Sequence, residues 1–223
     1  MKLSILTLAI LFLNIFSLAA NGDNSKKHRN NNFSGEIKYV QYTPFDTTYY
    51  TVYVSKDKIR VDSFNSKDQK KAQKIMIYDL KEKKIIALKP SEKIFKLTNA
   101  KFAPTEKIRG SYVIINRRNT KYINGYKCIQ YRVKNRIEDT DITYWIPENS
   151  FPFYYEMVSI KNSMQKAQKY FFMLPNHEIA FPLQTVERNT LREERLSYSV
   201  IKIDKKPIKD TLFIVPDNYV LND

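Results

Sequence analysis

An Asn-Gly pair at residues 124–125 stands between two short runs in which apolar and polar residues alternate. A two-residue type I′ hairpin needs positive φ at both central positions, and Asn followed by Gly meets that need at the least steric cost. Residues 121–145 (KYINGYKCIQYRVKNRIEDTDITYW) therefore read as strand, tight turn and strand, with a further hairpin loop around Glu138, Asp139 and Asp141. The same stretch holds the only cysteine, Cys128, and the only tryptophan, Trp145.

The alternation recurs through most of the chain. Residues 33–42, 49–54, 58–64, 75–80, 84–88, 94–97, 111–116, 179–189, 196–204 and 212–215 are short runs of β-branched and aromatic residues bounded by turn formers. Together with the hairpin they make roughly ten to twelve strands. Their connections are short and lack the spacing of a βαβ unit, so the chain is expected to form a barrel or a strongly curved antiparallel sheet. One stretch departs from the pattern. Residues 162–174 carry good helix formers, with Met164, Ala167, Tyr170 or Phe171, and Leu174 spaced by three or four. Asn162 or Ser163 can cap this helix and Pro175 can end it.

Residues 1–20 combine an early Lys2, an apolar run over residues 5–18 and small residues at Ser17, Ala19 and Ala20, the pattern of a secretory signal peptide. Residues 21–32 are polar and aperiodic and read as a disordered leader, leaving 33–223 as one domain large enough to bury a core without disulfides. The expected location is outside the cytoplasm, in the periplasm or beyond the cell. A net charge of +15 raises the question of an anionic partner. The basic residues are mostly Lys, spread along the chain and interleaved with acids, so no nucleic-acid partner is expected, whereas an anionic membrane surface is compatible.

No combination of residues points to catalysis. His177-Glu178 lacks the second His that a zinc site would need, the 138–141 acids lie in a hairpin loop, and no nucleophile elbow or phosphate loop is present. Cys128, mid-strand among aromatic residues, is expected to pack. No catalytic residue, metal or cofactor is expected. What stands out is 16 Tyr and 13 Phe. They can fill the interior, or they can line a cavity for an apolar ligand.

Phe33-x-Gly35-x-Ile37-x-Tyr39, the 53–61 segment Tyr-Val-x-x-Asp-Lys-Ile-Arg-Val, Ile77-Tyr78-Asp79, the 123–128 hairpin, Trp145 and Phe213-x-Val215-Pro216-x-x-Tyr219 together resemble the DUF4412 group of exported bacterial proteins. That group resembles a branch of the LolA/LolB-like lipoprotein and lipid carriers. The resemblance implies a mainly β (α+β) fold, in which a single antiparallel, strongly curved sheet forms an incomplete barrel with one helix, about 162–174, lying across it as a lid. It implies an apolar ligand, such as a lipid acyl chain. A monomer is expected. The candidate ligand-binding residues are Tyr39, Tyr53, Ile129, Tyr131 and Trp145 on the wall, with Met164, Phe171 and Phe172 on the lid. The alternative is an envelope protein that binds a protein or an anionic polymer through its basic surface.

Overall fold

The computed structural model describes residues 33–100, 108–161 and 165–222. The expected signal and leader (residues 1–32), and Met164, lie outside the described residues. The strands are β1 (Gly35–Tyr42), β2 (Thr47–Ser55), β3 (Lys58–Phe64), β4 (Lys74–Asp79), β5 (Lys84–Lys89) and β6 (Ile94–Asn99). They continue as β7 (Val113–Ile123), β8 (Tyr126–Asn135), β9 (Thr140–Pro147), β10 (Gln184–Arg188), β11 (Glu194–Lys205) and β12 (Val220–Leu221). All belong to one sheet in the order β12-β6-β5-β4-β3-β2-β1-β11-β10-β9-β8-β7. Only the β12–β6 pair is parallel, and β12 and β7 lie at opposite ends without pairing, so the sheet stays open.

The β7–β8 turn has the expected geometry, with φ of 49° at Asn124 and 79° at Gly125. Its tip does more than reverse the chain: the Asn124 side-chain amide donates to the Val200 carbonyl of β11 at 2.8 Å, reaching past β9 and β10. β11 also carries a bulge. Lys38 pairs with Lys202 and Tyr39 with Val200, leaving Ile201 as the extra residue. An unpaired residue bends its strand and increases the local twist.

Period-two alternation sorts side chains to two faces. Tyr50 and Val52 of β2 face inward with Met76 and Tyr78 of β4. Tyr53 faces outward and packs against the cluster of Ile75, Ile77, Leu88 and Phe213. That outer cluster explains a difference from the sequence reading at 212–215. These residues do not form a strand; Asp210–Phe213 is a 3₁₀ turn that lays Leu212 and Phe213 over the apolar outer face. Arg60 fixes the segment, donating to the Leu212 carbonyl at 2.8 Å while its remaining N–H groups grip Asp62 at 2.7 and 2.9 Å.

Two helices cross the inner face where the sequence suggests one: α1 (Phe153–Lys161) and α2 (Lys166–Phe171). The aromatic and β-branched residues of α1 have modest helix propensity and resemble a strand. Tertiary burial of Phe153, Val158 and Ile160 overrides that preference, and Pro152 suits the entry to a helix, its carbonyl accepting from the Glu156 N–H at 3.4 Å. α2 is shorter than expected. It ends in tight bonds from the Met173 and Leu174 N–H groups to the Tyr170 and Phe171 carbonyls.

Candidate ligand cavity

The inner face is divided into a filled end and an open one. At the β8–β9 end, α2 is packed solidly: Val133, Ile142, Tyr144, Tyr170, Phe171 and Leu174 form a closed cluster, and the Tyr144 hydroxyl donates to the Ala167 carbonyl at 2.7 Å. Over the middle of the sheet, below α1, lies a cavity of about 240 Å³. It touches both β4 and β10, five strand spacings apart in the sheet order. A flat sheet would hold those strands about 24 Å apart, so the sheet curves around the cavity.

The floor is apolar and aromatic, with Val52, Tyr78, Phe153, Phe181, Leu183 and Val200 all buried. The bulge in β11 brings Tyr39 and Val200 onto this wall. Tyr39 stacks on Tyr50, with ring centroids 4.6 Å apart, and meets the edge of Tyr198 at 6.2 Å. Burial pushes the Tyr39, Tyr78, Tyr154 and Tyr198 phenols well above their ordinary range, so they stay neutral hydrogen-bonding groups. The Tyr50 hydroxyl donates to Gln41 at 3.3 Å and the Tyr198 hydroxyl to Gln165 at 2.8 Å.

Charge gathers on exposed lining residues. Lys74, Lys161 and Gln165 are lining residues with solvent-exposed surface, and they mark the mouth. Desolvation and the neighbouring charge of Lys74 together pull the Lys161 ammonium below the usual lysine value. Among the described residues, the lining includes no Asp, Glu, His or Cys. Apolar surface, neutral phenols, the hydroxyls of Ser63 and Thr185, amides and two ammonium groups can enclose and orient a molecule.

The eight candidates from the sequence separate accordingly. Tyr39 lines the cavity. Tyr53 lies on the outer face. Tyr131, Phe171 and Phe172 belong to the filled α2 cluster, and Ile129 pairs with Ile146 of the same cluster. Trp145, registered against Gln130 and Gln184, is on the face opposite Tyr144, with the Lys121 ammonium 4.2 Å from its ring centroid. Met164 is outside the described residues. Sequence reasoning missed the contributions of α1 (Phe153, Tyr154, Met157 and Lys161) and of Phe181 and Leu183.

The remaining reactive groups serve structure. Cys128 is fully buried, and burial pushes its thiol up to about 11. His177 donates from Nδ1 to the Leu174 carbonyl at 2.8 Å and packs among Tyr155, Phe171 and Phe172. The hairpin-loop acids Glu138 and Asp139 are tied down. Burial alone would raise Glu138, but bonds from the Arg109 N–H (2.8 Å), Tyr170 (2.9 Å) and Lys169 (3.2 Å) hold its carboxyl below the usual value. Thr190 and Arg195 hold Asp139 down at about 2. No group of metal-ligating side chains occurs among the described residues.

Several solved structures share this fold. The MucB chain in the Pseudomonas aeruginosa MucA/MucB complex overlaps with a TM-score of 0.52 at 9% identity, covering 84% of this chain and 57% of that one. An uncharacterized conserved protein from Thermus thermophilus overlaps at 0.50 with 9% identity, covering 85% and 91%. An outer membrane lipoprotein-sorting protein domain from Vibrio parahaemolyticus also matches, at 0.33 with 7% identity, covering 80% and 87%; that overlap is too slight to carry an argument. At these identities the likeness is one of fold, and the chain spans less than two thirds of several such proteins, 31% in one case. No curated protein matches the sequence. A family model described as a domain of unknown function, DUF4412, matches residues 33–219, in line with the motifs at Gly35, Asn124-Gly125 and Phe213. The chain therefore belongs to the DUF4412 family.

Proposed function

We propose that this protein is an exported, non-catalytic binding protein that carries or senses a lipid or lipoprotein acyl chain in the cell envelope. The observation that carries this reading is the aromatic cavity of about 240 Å³ held between the curved sheet and α1. Each methylene transferred from water into such a site contributes about 0.8 kcal/mol, so a short length of chain suffices for useful affinity. The volume is below the roughly 300–1,000 Å³ of most small-molecule sites, which favours one chain over several. Of the sequence candidates, Tyr39 is the residue we assign to the ligand. Export is supported by the apolar run of residues 5–18, and no helix among the described residues is long and apolar enough to cross a membrane.

Titration with the neutral fluorescent probe N-phenyl-1-naphthylamine tests the reading. Saturable binding at one site is expected, weakened at least tenfold by Met157→Trp, which fills the cavity from the α1 side. Equal binding by both proteins, with matching thermal melts, would contradict it.

A second reading has its own support. β7 is an open sheet edge with Val113 and Tyr122 exposed, and the similarly folded MucB is found in complex with MucA. An extended segment of a partner protein could add to such an edge. It predicts binding that a proline within β7 abolishes and that cavity filling leaves intact.

A further inference from the structure

The cavity is polarised in a way that simple apolar burial does not require. Its floor is buried and aromatic, while Lys74 from β4 and Lys161 from the end of α1 stand at its mouth with their charges close enough to repel. Among the described residues the lining holds no acid and neither ammonium has an ion-pair partner. Two like charges beside a low-dielectric wall are unfavourable until an anion lies between them. A second, independent observation concerns Gln168 of α2. It lines the same cavity and is only 8% exposed, yet its Oε1 is buried without a hydrogen-bond partner among the described residues. A buried acceptor left without a partner is unfavourable, and a donor on a bound molecule would relieve it.

We propose that the ligand is a single-chain anionic amphiphile. Its chain occupies the aromatic floor, its carboxylate or phosphate head lies between Lys74 and Lys161, and a hydroxyl or amide N–H along it donates to Gln168 Oε1. The proposal rests on the lipid-site reading above and narrows it to a ligand class. A purely neutral lipid would leave the lysine repulsion in place, and a cationic amphiphile would add to it.

Four probes of equal chain length separate the elements: dodecanol, dodecanoate, 3-hydroxydodecanoate and dodecyltrimethylammonium, each competed against N-phenyl-1-naphthylamine on the full mature protein. Dodecanoate should bind at least tenfold more tightly than dodecanol, and dodecyltrimethylammonium most weakly. The 3-hydroxy acid should gain a further fivefold or more over dodecanoate. Lys74→Gln with Lys161→Gln, both at exposed positions, should erase the preference for the acid, bringing dodecanoate down to the affinity of dodecanol for the same variant. Gln168→Leu should erase only the hydroxyl gain. Lauroyl lysophosphatidate, compared with dodecanoate, separates a phosphate head from a carboxylate one, and a tenfold preference for either identifies the head.

Equal affinity for dodecanol and dodecanoate would overturn the anionic-head assignment while leaving the lipid-site reading standing. Failure of every probe to bind would overturn both. A hydroxyl gain that survives Gln168→Leu would overturn the role of Gln168.

Discussion

Glu187 of β10 is 7% exposed, and burial raises its carboxyl above the ordinary value, opposed by Lys166, Arg195 and a bond from the Ala167 N–H. A carboxyl with a raised folded-state pKa favours folding fully while protonated, and that contribution is lost as pH rises through the folded-state value. Glu187→Gln is therefore expected to raise the melting temperature at pH 7, with the gain vanishing below about pH 4, where the unfolded-state carboxyl is also protonated. Thermal melts across pH 3–8 check this; a pH-independent difference would contradict it. Gly35 is constrained differently. A Cβ there would lie 2.4 Å from the Asp204 carbonyl oxygen and 3.0 Å from the Phe33 ring, so Gly35→Ala should cost about 1–3 kcal/mol in urea denaturation. At this scale, Tyr39 was legible as a wall residue because it shares an alternation with Ile37. Tyr53 was not, although Tyr50, Val52 and Val54 already place it on the other face of β2. Strand period tells which residues share a face, but which face turns inward depends on the curvature set by the Ile201 bulge and on the helices laid across it.

Most strands and the Asn124-Gly125 turn follow from alternation and turn chemistry, because both act within a few residues. α1 and the 3₁₀ turn at Asp210–Phe213 do not, because each takes its conformation from a surface built elsewhere in the chain. α1 covers the cavity with residues that alone would favour a strand, and Phe213 is buried against Ile75, Ile77 and Leu88. The outer and inner faces should then be separable by mutation. Phe213→Ala is expected to destabilise the fold by about 3–5 kcal/mol while leaving probe affinity within twofold at temperatures where the protein stays folded. A parallel loss of affinity in folded protein would show that the C-terminal segment contributes to the cavity.

The molecule as a whole divides its labour along the sheet. The β8–β9 end with α2 is filled by packed aromatics, the middle strands curve around an open cavity, and the β2–β5 outer face is covered by the C-terminal segment. Aromatic residues fill the interior at one end and line a cavity in the middle. Fold class was legible because a long series of alternating runs permits few architectures. The position of the cavity was not, since it arises from strands distant in sequence and from a helix that local propensity hides. The same division explains why Phe172, ringed by Tyr155, Phe171 and His177, should act as a stability residue: Phe172→Asp is expected to lower the melting temperature.

Native mass spectrometry of the purified protein, mixed with an equimolar amount of 3-hydroxydodecanoate, tests the central claim most directly. A single adduct of one ligand mass, abolished by Met157→Trp and reduced by the double Lys74→Gln, Lys161→Gln substitution, is the predicted result. A spectrum of free protein alone, unchanged as ligand is raised to a large excess, would contradict the claim that this cavity holds a lipid chain.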